Sequence, residues 1–157
     1  MRIAQGYDVH RFSEDATRPL WLGLVRIDES RGLQGHSDAD VATHALCDAL
    51  LGAAHLGDLG QHFSDQDPKW HNVSSRELLV AVMALVRDAQ WVVESADLTI
   101  VAQVPRLAPH LAAMSTALSD VVGTTVSLKA TTAEGLGALG REEGISSLAV
   151  VLLRESP

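Results

Sequence analysis

The sequence predicts an α+β fold: a single domain over residues 1–157, with a mixed β-sheet covered by helices on one face. Three observations lead there. Strand-like segments stand near both ends of the chain. Two helix-like stretches follow each other between them. No repeat, low-complexity tract or composition break marks a linker, and 157 residues with 46% hydrophobic content can bury one sizeable core.

"RIAQGYDVHRF" (2–12) reads as a strand, and "PLWLGLVRI" (19–27) as a hairpin or two short strands around Gly23. "SDADVATHALCDALLGAAHLG" (37–57) reads as a helix, with Ser37 as N-cap and Gly57 past its end. "GDLGQHFSDQDP" (57–68) reads as a loop closed by Pro68. "SSRELLVAVMALVRDAQ" (74–90) is a second helix, with Ser74 and Glu77 spaced as a capping box. "WVVESADLTIVAQV" (91–104) is β-rich. "PHLAAMSTALSDVVG" (109–123) has Pro109 in its first turn and Gly123 at its end, the asymmetry of a helix. "TTVSLKATT" (124–132) is a strand, "AEGLGALGREEG" (133–144) a Gly-rich loop or short helix, and "ISSLAVVLLR" (145–154) the last strand.

The formal net charge of −8 argues against a general nucleic-acid binder, which needs a basic footprint. No apolar run approaches membrane-spanning length. Cys47 is the only cysteine, so no intrachain disulfide can form. With no basic and apolar leader after Met1, a reducing cytoplasm is the expected location.

The chemistry starts at "DVH". Asp8 and His10 stand two apart on a strand, hence on one face. Asp40, His44 and Asp48 recur every four residues and share a helical face. Asp8, His10 and His44 make a two-histidine, one-carboxylate set. Zinc takes such N and O ligands, and three protein ligands leave a fourth position open, as in catalytic sites. Asp48, one turn on, is placed to accept the other ring N–H of His44. Taken alone, an Asp-x-His pair is more often an ordinary hydrogen-bonded pair, and the helix triplet can be a solvated face. His55, His62, His71 and His110 have no such neighbours and read as surface or packing residues.

Three loops suit an anion. "GHSDAD" (35–40) puts His36 and Ser37 at an expected helix N-terminus. "KATTAEGLG" (129–137) puts Lys129, Thr131, Thr132 and Glu134 at a strand end, where a second cation such as Mg²⁺ would reconcile the glutamate with phosphate. "GREEG" (140–144) adds Arg141, a bidentate phosphate partner. Each loop alone reads rather as a turn with polar caps. Two other classes fit the same residues: a metal-dependent phosphohydrolase that activates water, and a binding protein with a structural zinc. The second would need a fourth protein ligand.

Together the segments resemble one family. "GYDVHRF", "GHSDADVATHALCDALLGAAHLGDLGQHFSDQDP", "TIVAQVPRLAPHL" and "KATTAEGLGALGREEGI" are similar, in order and nearly end to end, to motifs of the 2-C-methyl-D-erythritol 2,4-cyclodiphosphate synthases. The resemblance implies conversion of 4-diphosphocytidyl-2-C-methyl-D-erythritol 2-phosphate, with attack of the 2-phosphate on the β-phosphorus and release of CMP. It implies a homotrimer, its sheets packed around a threefold axis and its active sites between subunits. It also implies one zinc per subunit and a Mg²⁺ or Mn²⁺ ion bridging the diphosphate.

Carried over by residue, the resemblance puts zinc on Asp8, His10 and His44 and the second ion on Glu134. It gives catalytic roles to His36 and Thr132. Substrate contacts fall on Asp8, Val9, His10, His36 and Ser37. The methylerythritol pocket matches Asp58, Leu59 and Gly60, and then Phe63, Ser64, Asp65, Gln66 and Asp67. The cytidine pocket matches Ala102, Gln103, Val104, Pro105, Arg106, Leu107 and Ala108. The phosphate loop matches Thr131, Thr132, Ala133, Glu134 and Ala138, with Arg141 near the phosphates and the axis. The chain departs from the family pattern at Ala133, where a threonine is usual. It departs again at Gly135 for lysine, Ala138 for an aromatic residue and Glu142 for glycine.

Overall fold

The computed structural model describes residues 1–35, 37–64 and 73–157. The elements are β1 (Arg2–Arg11), β2 (Pro19–Leu22), β3 (Val25–Arg31), α1 (Val41–Ala54), α2 (Leu59–His62), α3 (Ser75–Asp88), β4 (Trp91–Val101), α4 (Leu111–Val122), β5 (Val126–Thr131), α5 (Gly137–Gly140) and β6 (Gly144–Glu155). Four strands form a mixed sheet in the order β1-β6-β4-β5. The β1/β6 and β6/β4 pairs are antiparallel, and β4/β5 is parallel across the α4 crossover. The β2–β3 hairpin is a separate two-stranded sheet, joined to the end of β1 by an isolated bridge between Phe12 and Leu33.

Alternation along the strands sorts the two faces of the main sheet. Ile145, Ala149, Val151 and Leu153 of β6 are fully buried and continue into the core with Leu46, Leu50, Leu79, Leu98, Ile100 and Leu118. The opposite face carries exposed Ile3, Tyr7, Val9, Leu148 and Val150. The helix α1 lies across β1 and β6, and α4 lies against β5, so the expected one-sided helical layer is present.

Helix ends follow their caps. The capping box at Ser74 and Glu77 forms as expected. Gly123 closes α4 in the left-handed conformation (φ 84°). The expected helix over 37–57 is shorter at both ends. Its N-cap is Asp40 rather than Ser37, and His55 (φ 59°) closes it before Gly57. The reason is tertiary. Asp40 is fully buried, and its carboxylate accepts Thr43 N–H at 3.0 Å, Gly23 N–H at 2.8 Å and Leu24 N–H at 2.7 Å. One side chain thus caps α1 and satisfies the turn of the β2–β3 hairpin. Asp40 is therefore structural, and its carboxylate is committed before it could join any chemistry at His44.

Candidate active site

The site depends on how closely β1 and α1 approach. Gly6 is the buried residue of β1, and a Cβ placed there would sit 2.0 Å from the Ala45 carbonyl oxygen and 2.7 Å from the Ala49 nitrogen. Only glycine lets the strand touch the helix backbone here. That contact brings Asp8 and His10, the next two positions on the same face of β1, up to His44 on α1.

Asp8, His10 and His44 each offer a ligand atom, and all three atoms lie within 4.8 Å of one another. Asp8 Oδ2 is 3.2 Å from His10 Nε2 and 3.1 Å from His44 Nδ1. Ligands on a tetrahedral zinc, with bonds of about 2.0–2.1 Å, stand about 3.3 Å apart. The donor set and its spacing fit such an ion. The second carboxylate oxygen, Oδ1, accepts the Val9 N–H at 2.8 Å and so turns Oδ2 toward the histidines.

The two imidazoles present opposite nitrogens. His10 Nδ1 is 2.5 Å from the Gln34 carbonyl oxygen. A carbonyl only accepts, so Nδ1 donates; the protonated ring donates from Nε2 to Asp8 as well, and the neutral ring offers Nε2 as a ligand. His44 faces the cluster with Nδ1. Its Nε2 lies 3.1 Å from Ser75 Oγ and 3.3 Å from Ser37 Oγ. The expected acceptor, Asp48, is elsewhere: its Oδ1 takes the Leu59 N–H at 2.9 Å and ties α2 to α1. Side chains on a helix lean toward its N-terminus, so the far nitrogen of His44 reaches the 37–38 loop and the start of α3.

Electrostatics follow from this packing. Burial pushes the Asp8 carboxyl up, but hydrogen bonds and charge from His10 and His44 outweigh it and hold Asp8 well below the usual carboxylate range. The hydrogen bond to Asp8 raises His10 above its ordinary value. Burial raises Asp48, only partly offset by the Leu59 N–H.

A cavity of about 420 Å³ opens over the cluster, with Asp8, His10, His44, Asp48, Leu59, Gly60 and Phe63 in its wall. A neighbouring cavity of about 450 Å³ shares Ser37 and Val73 with it and holds none of the ligand atoms. In the wall of that neighbouring cavity, Arg18 Nη2 donates to the Gly35 carbonyl at 2.9 Å and also to that of Ser37.

The structure thus gathers Leu59, Gly60, Phe63, Ser64 and Ser37 around the cluster. Asp58 is not in the wall; it caps α2 by accepting Gln61 N–H at 2.9 Å. The Val9 side chain points to the other face of the sheet and is exposed. His36, Asp65, Gln66, Asp67 and His71 lie outside the described residues. Because α1 starts at Val41, Ser37 is not at a helix N-terminus; its Oγ accepts the Ala39 N–H at 3.2 Å.

A third cavity, of about 400 Å³, is lined by residues 102–108 together with Leu111, Ala130, Thr131 and Thr132. Among the described residues it shares no lining residue with the cavity over Asp8. The Val104–Pro105 peptide within it is cis. Thr132 Oγ1 donates to Glu134 Oε1 at 2.9 Å, and Gln103 Oε1 accepts the Gly135 N–H at 3.3 Å, tying the two loops together. Ala133, Glu134, Ala138 and Arg141 are not in its wall. Arg141 pairs with Glu143 at 2.7 Å. Lys129, expected beside the threonines' anion, is ion-paired to Asp97 of β4.

Sequence reasoning missed Ser75, Asp38, Val73 and Leu78. Ser75 stands beside a recognisable cap, and Asp38 lies within "HSDAD". Nothing local in the sequence aims either one at His44.

The YgbB family matches residues 1–154. The 2-C-methyl-D-erythritol 2,4-cyclodiphosphate synthase of Porphyromonas gingivalis is 53% identical over 155 residues, covering 97% of this chain and 94% of its own length. That of Azotobacter vinelandii is 55% identical over 156 residues, covering 98% of each. A solved structure of such a synthase in a CDP-bound form superposes with a TM-score of 0.89 at 38% identity, over 98% of this chain and 100% of that one. Sequence, fold and the conjunction of strand and helix at the cluster agree, and the chain belongs to the YgbB family of 2-C-methyl-D-erythritol 2,4-cyclodiphosphate synthases.

Proposed function

We propose that this chain, as a single synthase domain over 1–157, cyclises 4-diphosphocytidyl-2-C-methyl-D-erythritol 2-phosphate to 2-C-methyl-D-erythritol 2,4-cyclodiphosphate and releases CMP, a phosphorus–oxygen lyase step of non-mevalonate isoprenoid synthesis. The Asp8–His10–His44 cluster carries this reading. Its N and O donors suit zinc, and Glu134 suits a Mg²⁺ or Mn²⁺ ion on the diphosphate. A divalent cation supplies Lewis-acid charge to the phosphate oxygens.

The residues of the chain supply the rest. The substrate carries its own nucleophile, so no activated Ser or Cys is required. Cys47 is fully buried and its thiol is pushed up by burial, in keeping with a packing role. In our reading, the pocket at Leu59, Gly60, Phe63 and Ser64 seats the methylerythritol, and residues 102–108 seat the cytidine through backbone groups. Thr132 and His36 orient the phosphates, and Arg141 lies near them. Holding both reacting ends in line is worth about 7–11 kcal/mol of a barrier in well-oriented systems.

We further propose a homotrimer with active sites between subunits. The exposed apolar face at Ile3, Tyr7, Val9, Leu148 and Val150 supports this, since large exposed patches mark contact surfaces. No described helix is long and apolar enough to cross a membrane, and we place the enzyme in the cytoplasm with its pathway.

The test is CMP release from this substrate, with and without a zinc chelator, with the products read by phosphorus NMR. Metal-dependent CMP with a cyclic diphosphate is the expected result. Inorganic phosphate or an open-chain diphosphate would indicate a hydrolase. No turnover by metal-loaded protein would refute the reading.

A further inference from the structure

We propose that Ser75 and Asp38 act as positioning residues for His44, fixing which ring nitrogen is offered to the cation. The inference deepens the metal reading of Asp8, His10 and His44 and rests on it. Ser75 is fully buried at the first position of α3. Its N–H donates to Asp38 Oδ2 at 2.8 Å, and its hydroxyl donates to Asp38 Oδ1. The single hydroxyl proton is thereby committed to a carboxylate, which only accepts. What Ser75 has left for His44 Nε2, 3.1 Å away, is an oxygen lone pair.

With a cation in place the ring would donate from Nε2 and offer Nδ1, which in the metal-free protein hydrogen-bonds Asp8 Oδ2 at 3.1 Å. A hydrogen-bonded Nε2–H also makes Nδ1 a more basic ligand. Ser37 Oγ, 3.3 Å from the same nitrogen, is a competitor: among the described residues its proton has no other acceptor, and donating it to Nε2 would favour the opposite tautomer. The distances favour Ser75. His10 is held by the Gln34 carbonyl, so the two histidines are locked by unrelated devices, one a backbone group and the other a side-chain relay anchored on another helix.

The experiment is zinc affinity by competition with a chromogenic chelator, for wild type, Ser75→Ala, Ser75→Thr, Asp38→Asn and the Ser75→Ala/Asp38→Asn double variant. The thermal midpoint of each metal-free protein is recorded alongside. We expect Ser75→Ala to weaken zinc about 10–100-fold with little change in the metal-free midpoint. Ser75→Thr, which keeps the hydroxyl, should retain affinity. The double variant should lose no more than the larger single loss, because both act through one bond. In the zinc-loaded wild type, proton NMR should show a slowly exchanging Nε2–H of His44 that is lost in Ser75→Ala.

Tight zinc binding by wild type together with Ser75→Ala within about twofold of it would overturn this inference alone. Loss of affinity in Ser75→Thr equal to that in Ser75→Ala would also overturn it. Wild-type protein that fails to bind zinc would overturn the metal reading and this inference with it.

Discussion

Replacing Gly6 by alanine tests whether the strand–helix contact sets the site. The new Cβ would stand 2.0 Å from the Ala45 carbonyl oxygen, where such contacts do not fall below 3.0 Å, so β1 and α1 must part by at least 1.0 Å at that point. Both opposing atoms are backbone, and no side-chain rotation can absorb the change. Overpacking of this kind costs about 1–3 kcal/mol, or about 2–4 °C of thermal midpoint per kcal/mol in a chain this size. The larger effect falls on the cluster. Asp8 is two residues from Gly6 and His44 is adjacent to Ala45, so the 3.1 Å approach of Oδ2 to Nδ1 opens by a similar amount. A displacement of about 1 Å can cost 10²-fold in turnover. The assay pairs a thermal melt of the metal-free protein with zinc competition and CMP release. A variant that melts, binds zinc and turns over as wild type would refute the claim that this contact builds the site.

Asp40→Ala removes the acceptor for Gly23 and Leu24 N–H in a buried setting and should destabilise the protein by about 3 kcal/mol or more, read by urea titration; a loss under about 1 kcal/mol would show that water replaces the carboxylate. His44→Ala should abolish zinc binding and activity together, whereas Thr132→Ala should lower turnover with zinc retained, measured by metal content and CMP release; a His44→Ala protein with full zinc would contradict the ligand set. The stabilisation conferred by zinc should grow with pH. In the metal-free protein His10 is raised above its ordinary 6.5, so its pairing with Asp8 contributes fully below that value and is lost as pH rises through the folded one. Zinc needs the deprotonated ring, so its gain in midpoint should be larger at about pH 8 than at about pH 6. Equal gains by scanning fluorimetry would count against His10 as a ligand.

The convergence of Asp8, His10 and His44 was readable from the sequence because each part rests on a local period. Asp8 and His10 follow the two-residue repeat of a strand. His44 stands on a helix signalled by its own composition, and Ser74 with Glu77 announces the next one. The parts that failed are those decided by contacts between distant segments. Ser37 looked like a cap, but the hairpin turn at Gly23 and Leu24 recruits Asp40 and moves the helix start. Asp48 looked like the partner of His44, but the Leu59 backbone claims it and the ring leans the other way. Lys129 lies on a strand end that suits an anion, yet the parallel pairing of β4 with β5 sets Asp97 beside it. Ser75 carries no local sign of its direction, because that direction depends on how α3 docks on α1.

The separation of the two cavities has a genetic consequence. One is built mainly from β1, α1, α2 and the first turn of α3, the other from the end of β5 and the loops after β4 and β5, and among the described residues they have no lining residue in common. Under the proposed assembly each working site draws one cavity from each of two neighbouring subunits. A lesion in one cavity then leaves the other intact and available to a neighbour. Inactive His44→Ala and impaired Thr132→Ala should complement each other when co-expressed, with about one site in four fully wild type in randomly mixed trimers. A co-expressed mixture no more active than the mean of the two variants alone would place both cavities in the service of the same subunit.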